Sequence, residues 1–226
     1  MQHEIDRRLL LGGAGALGVA ATSAFAQEAK PVTSAVKADE KPAGSGRRLS
    51  DIIADFVVGF DIAKVPPLGI ERARLAFVDT MAVMLAGARE QGSDLVCEMV
   101  KQEGAAPQVS VIGQSFRTSP QLAALANGVA AHIMDYDMSS LLGQPTSPII
   151  PALLPLAEAT GASPSEVMAA FIVGFEVCMR FCRAAPEQAS IGGWHAVSSI
   201  GTVGTAMACA RLLKVRRETK IGRAHV

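Results

Sequence analysis

The reactive groups of this sequence gather around two histidines. His132 precedes Asp135 by three residues and Asp137 by five, and Ser139 follows. His195 comes after Gly192, Gly193 and Trp194 and opens a stretch rich in small residues. An imidazole titrates near neutrality and can take or give a proton, and a carboxylate beside it can orient the ring or relay that proton. On a helix, a spacing of three puts His132 and Asp135 on one face. A helix that starts at His195 also offers unpaired N–H groups and a positive dipole end, which suit a carboxylate ligand. These residues could line a pocket that takes a carboxylate. Plainer roles stay open beside it. His132 can simply bond Asp135 or a backbone carbonyl, and His195 can make a structural bond at a helix start. His132, Asp135, Asp137 and His195 are also able metal ligands. No HxxxH, HExxH or Cys-His cluster supports that reading, so the expectation is no metal and no cofactor. GAGALG at residues 13–18 follows no strand, and neither GxxxxGK[ST] nor GxSxG occurs.

Helices must position these groups. Leu49, Ile52, Ile53, Phe56, Val57 and Phe60 repeat at intervals of three and four. Pro66-Pro67 break that helix, and a second runs from about Leu68 to Ala86 with Gly87 closing it. Ser93-Asp94 open a third. Gln108 to Gly113 alternates as a short strand, the one strand expected. Ser119-Pro120 cap a helix running from Gln121 to about Asp135. A loop from Asp137 to Ser147 leads to a short helix over Pro148 to Ala159. Ser163 and Glu166 form a capping box ahead of a long helix to about Arg183. A loop over Ala184 to Gly193 leads to the last helix, His195 to about Lys214, whose Gly201, Gly204, Ala206 and Ala208 let backbones come close. Both histidines thus fall at junctions of helix and loop, where pockets are commonly lined.

Half of the 226 residues are hydrophobic, mostly aliphatic, with one Trp and one Tyr. That mix suits packed helices better than a sandwich. Lys plus Arg and Asp plus Glu both number 21, so net charge gives no reason to expect nucleic acid or an anionic membrane as partner. Residues 1–26 read as a twin-arginine signal: Arg7-Arg8, a mild apolar run from Leu9 to Ala21, then Ala24-Phe25-Ala26 for cleavage. The expected location is therefore periplasmic, with the membrane met only during export. Residues 27–47 are polar and Pro/Gly-bearing, as in a disordered linker. The four cysteines form no CxxC pair and read as small buried hydrophobes. The closing IGRAHV resembles a translated adapter oligonucleotide, which makes 216–226 a partly artefactual tail and sets His225 aside.

The stretches LSDIIADFVVGF, ERARLAFVDTMAVMLAGA, ANGVAAHIMDYD, PALLPLAEA and GGWHAVSSIGTVGTAMACARLLKV together resemble the MmgE/PrpD family of dehydratases, decarboxylases and epimerases. The resemblance covers nearly all of an expected domain at 48–215. It implies an all-α domain with at most one short strand, and a following α/β lid domain that is absent here. It also implies a homodimer, no cofactor, and a small di- or tricarboxylic acid as substrate. The family usually shows HxxD, an aromatic residue, DDTH, and HPS farther on. Here His132, Asp135, Tyr136 and Asp137 match. Met138 replaces the second Asp, Ser139 keeps the hydroxyl of Thr, and Ser140 replaces the next His. Gln144 stands where the HPS histidine is expected, and His195 matches a later family histidine. Gln144 can hydrogen-bond but cannot accept a proton at neutral pH. The resemblance assigns His195 and Asp135 to catalysis, and Ser139, Gln144 and His132 to substrate binding, with His132 supporting Asp135. The expected function is an exported lyase or isomerase acting next to a carboxylate. A non-catalytic carboxylate-binding protein and a structural helical module are the alternatives.

Overall fold

The computed structural model describes residues 46–140, 143–184 and 195–216. The signal segment, nearly all of the linker, Trp194 with the loop before it, and the end of the tail lie outside these. Among the described residues the fold is helical, with two two-residue strands as its only sheet. In chain order the helices are α1 (Leu49–Gly59), α2 (Pro67–Gly87), α3 (Gln91–Gln102), α4 (Pro120–His132), α5 (Thr146–Thr160), α6 (Pro164–Ala184) and α7 (Ala196–Leu212). Strand β1 (Val109–Ser110) pairs antiparallel with β2 (Arg117–Thr118), Val109 facing Thr118. The expected strand is thus shorter than its alternation suggested and has a partner. None of these helices is long and apolar enough to cross a membrane.

Local signals set several boundaries. The Ser119 hydroxyl accepts from the Leu122 amide, with Pro120 at the first helical position of α4. The Ser163–Glu166 box forms in both directions: the Ser163 amide donates to Glu166 at 2.8 Å, and the Glu166 amide donates to the Ser163 hydroxyl at 3.3 Å. One expectation is corrected. Ser93 does not open α3, which begins two residues earlier. Its hydroxyl is buried and donates to the Gly87 carbonyl at 2.7 Å, tying α3 back to α2. Gly87 remains the last residue of α2. Its value is close approach, since a Cβ there would sit 2.1 Å from the Ala130 carbonyl oxygen.

The main core gathers Met84, Ile149, Ile150, Leu153, Phe171 and Leu212 from α2, α5, α6 and α7. Phe171 meets Phe77 edge-on at 5.7 Å between centroids. Helices α6 and α7 pack through glycines: a Cβ on Gly174 would lie 2.7 Å from the Gly204 carbonyl oxygen, and one on Gly204 would lie 2.8 Å from that of Gly174. From α7, the Arg211 guanidinium donates to the carbonyls of Val57, Val58 and Phe60, satisfying the end of α1. Cys97, Cys178 and Cys182 are buried free thiols, and Cys209 is half-buried. Burial first, and then neighbouring Cys182, push the Cys178 thiol up to about 12.

Candidate active site

Three segments converge at one end of the bundle: the close of α4, the turn that follows it, and the start of α7. Helix α4 stops at His132 rather than continuing to Asp135. Asp135 then takes a left-handed conformation, φ 52°, which turns the chain back on itself. The reversal brings Asp137 against His132, with Nδ1 and Oδ1 2.9 Å apart. The Asp137 side chain is fully buried, whereas that of His132 is about one-third exposed, 36%. If Asp137 is ionised, Nδ1 carries the proton of this bond and Nε2 is left with a lone pair. The second Asp137 oxygen, Oδ2, is buried without a hydrogen-bond partner.

The pairing corrects the expectation that His132 supports Asp135. That expectation assumed a continuous helix, and the helix ends too early to supply the face. Asp135 is bound instead by Gln144, whose Nε2 donates to Oδ1 at 2.8 Å. Gln144 is placed by an antiparallel bridge between Ser140 and Gly143 and by Ser147, which donates to the Gln144 carbonyl. Ser139 is exposed on the same turn. Ser140, for which the sequence suggested no role, donates to the Met179 sulfur at 3.4 Å and anchors the loop to α6.

His195 caps α7 by position, without a side-chain capping bond. Its ring centroid lies 6.4 Å from that of His132, and its Nδ1 is 3.4 Å from the Ser198 hydroxyl. The two imidazoles, some 60 residues apart in sequence, therefore share one site. His132 also lines an open depression of about 470 Å³ with Ser147, Pro148 and Pro151. Donor atoms of His132, Asp135 and Asp137 lie within 4.8 Å of one another. That spacing would admit a cation, but two of the carboxylate oxygens are already engaged by His132 and Gln144. The arrangement presents two imidazoles, an accessible carboxylate and an amide on one surface, a set able to bind an organic acid and exchange protons with it.

Comparison with known proteins places the chain in a family. Residues 51–222 match the MmgE/PrpD N-terminal domain. The cis-aconitate decarboxylases of Homo sapiens and Mus musculus are each 28% identical to the chain over 174 residues, which is 74% of this chain and 36% of each relative. The cis-aconitate decarboxylase-like protein oryM of Aspergillus oryzae is 27% identical over 172 residues, 71% of this chain and 36% of that protein. The chain thus matches little more than a third of the length of these relatives.

Proposed function

Because the chain belongs to the MmgE/PrpD family, we propose that it supplies the acid-binding, proton-transferring half of a lyase or isomerase acting on small di- or tricarboxylic acids. The observation that carries this reading is the convergence of His132, Asp135, Asp137, Gln144 and His195 at one end of the bundle. The names of the relatives make cis-aconitate the first substrate to try. In the proposed step, His195 exchanges a proton with the carbon next to a substrate carboxylate. Asp135, held by Gln144, orients the reacting groups, while Ser139 and the Gln144 amide bind substrate oxygen. His132 keeps its place through Asp137 and faces the same space. We extend the reading to export through the twin-arginine route and to an assembly of two copies.

The test is decarboxylation of cis-aconitate, together with exchange of carbon-bound hydrogen in a panel of carboxylic acids in D2O. The proposal expects one of these acids to react or exchange, and the rate to drop at least about 100-fold in His195→Ala. Equal rates in the two proteins would remove His195 from the chemistry. A second reading has its own support: Gln144 stands where the resemblance expects histidine, and its amide ties up Asp135. A protein that only binds carboxylates would be stabilised thermally by an acid it neither exchanges nor converts. For export, replacing Arg7-Arg8 by two lysines should retain a fused reporter in the cytoplasm. Unchanged export would refute the twin-arginine assignment.

A further inference from the structure

The turn after α4 does more than pair His132 with Asp137. It draws together one donor atom each from His132, Asp135 and Asp137, all within 4.8 Å of one another. Sequence spacing does not report this cluster, because the left-handed residue Asp135, φ 52°, is what folds the three onto one another. Ligand atoms held about 2.0 to 2.2 Å from one ion stand roughly 2.8 to 3.6 Å apart at octahedral or tetrahedral angles. Nδ1 of His132 and Oδ1 of Asp137, 2.9 Å apart, already keep that spacing. Asp135 has to move by no more than about 2 Å to join them. It stands exposed on the turn, held by the Gln144 amide.

A second, independent observation concerns Asp137. Its side chain is fully buried, yet Oδ2 has no hydrogen-bond partner. Such a buried oxygen is costly, and a bound ion is one of the few groups able to relieve it. The bonds to His132 and Gln144 engage one oxygen of each carboxylate and leave the other oxygen of each for a ligand. One imidazole and two carboxylates suit a divalent ion of the Mn²⁺ to Zn²⁺ class. The imidazole disfavours Mg²⁺ and Ca²⁺, and the oxygen-rich set disfavours soft ions such as Cu⁺. The ion takes the place of the proton between Nδ1 and Oδ1, which leaves to solvent. Three protein ligands keep at least one position open for water or for an oxygen of an organic acid.

We propose that His132 Nδ1, an oxygen of Asp137 and an oxygen of Asp135 form a binding site for one divalent transition-metal ion of the Mn²⁺ to Zn²⁺ class. The site rests on the geometry of the turn and does not depend on the proton transfer proposed above. The expectation of no metal came from the lack of a ligand motif in the sequence. The reversal at Asp135 supplies by folding what the spacing lacks.

Titration of the chain, made without an added histidine tag, with Mn²⁺ tests this, because the EPR signal of the free ion fades on binding. One ion should bind per chain with a dissociation constant below about 100 μM. Zn²⁺ should displace it, and Mg²⁺ at the same concentration should not. Asp137→Asn and Asp135→Asn should each weaken binding at least about tenfold. Asp135 is exposed, so its replacement leaves the core intact and keeps the test independent of folding. Asp79→Asn, at an exposed aspartate of α2, should leave binding unchanged. Mn²⁺ should also raise the melting temperature of the parent more than that of Asp135→Asn. A dissociation constant weaker than about 100 μM overturns the proposal. So does binding that Asp135→Asn leaves unchanged, which puts the ion elsewhere on the chain. Displacement by Mg²⁺ as readily as by Zn²⁺ also overturns it, since that removes the imidazole from the ligand set.

Discussion

The two histidines are held in different ways. His132 ends a helix, and its ring is bonded to a carboxylate sealed from solvent. His195 begins a helix and is exposed; among the described residues its ring meets the Ser198 hydroxyl at 3.4 Å and faces the His132 ring at 6.4 Å. The difference separates duties: one ring is part of the structure that builds the turn, while the other is placed by the approach of α7. A buried hydrogen-bonded pair gives rigidity, and an exposed imidazole keeps access to protons.

Breaking the buried pair should cost the most. His132→Ala should lower stability by about 2 to 3 kcal/mol, because it leaves the buried Asp137 carboxyl without its hydrogen-bond partner. The loss would be measured as a lower denaturant midpoint. His132→Ala combined with Asp137→Ala should cost less than the sum of the two single changes, with a coupling of about 1.5 kcal/mol or more. An additive double mutant would mean the 2.9 Å contact contributes little. Gln144→Ala should cost under about 1 kcal/mol, since the bond it removes ends on an exposed carboxylate. His195→Ala should change stability by less than about 0.5 kcal/mol while stopping exchange or turnover. A large stability loss there would erase the contrast between the two rings.

A pH series sharpens the comparison from outside the site. Glu166 accepts bonds from Lys214 first and then from Ser163, which lowers its pKa from 4.5 to about 2. Its folded pKa is therefore below the unfolded one. The stabilisation it gives is present above the ordinary carboxylate range and is lost as pH falls toward about 2. In Glu166→Gln the melting temperature should fall less steeply than in the parent over that acid range. Because the group is solvent-accessible, salt should shrink the difference.

Much of this architecture was legible in the sequence where short-range rules operate. Ser119-Pro120, the Ser163–Glu166 box and the three-and-four spacing of apolar residues mark helices because capping and amphipathicity act within one or two turns. The site was legible as a set of residue types and less so as a set of partners. His132 and Asp135 are spaced for one helical face, but α4 ends between them and Asp135 reverses the chain, so Asp137 becomes the partner. No spacing rule reports such a reversal for a non-glycine residue. Ser93 was misread for a related reason: it has the right type for a helix start, but its contact with α2 decides its use. Strand β2 escaped notice because its pairing with β1 supplies the only reason for its extended form.

The sulfur atoms of α6 carry a practical consequence. With Cys178 and Cys182 sealed inside the bundle, and Cys178 needing strongly alkaline conditions to become nucleophilic, maleimides and peroxide should leave them untouched until the helices part. Their labelling then reports unfolding directly. A chain that meets an oxidising environment only after folding would reach it with this chemistry already out of reach.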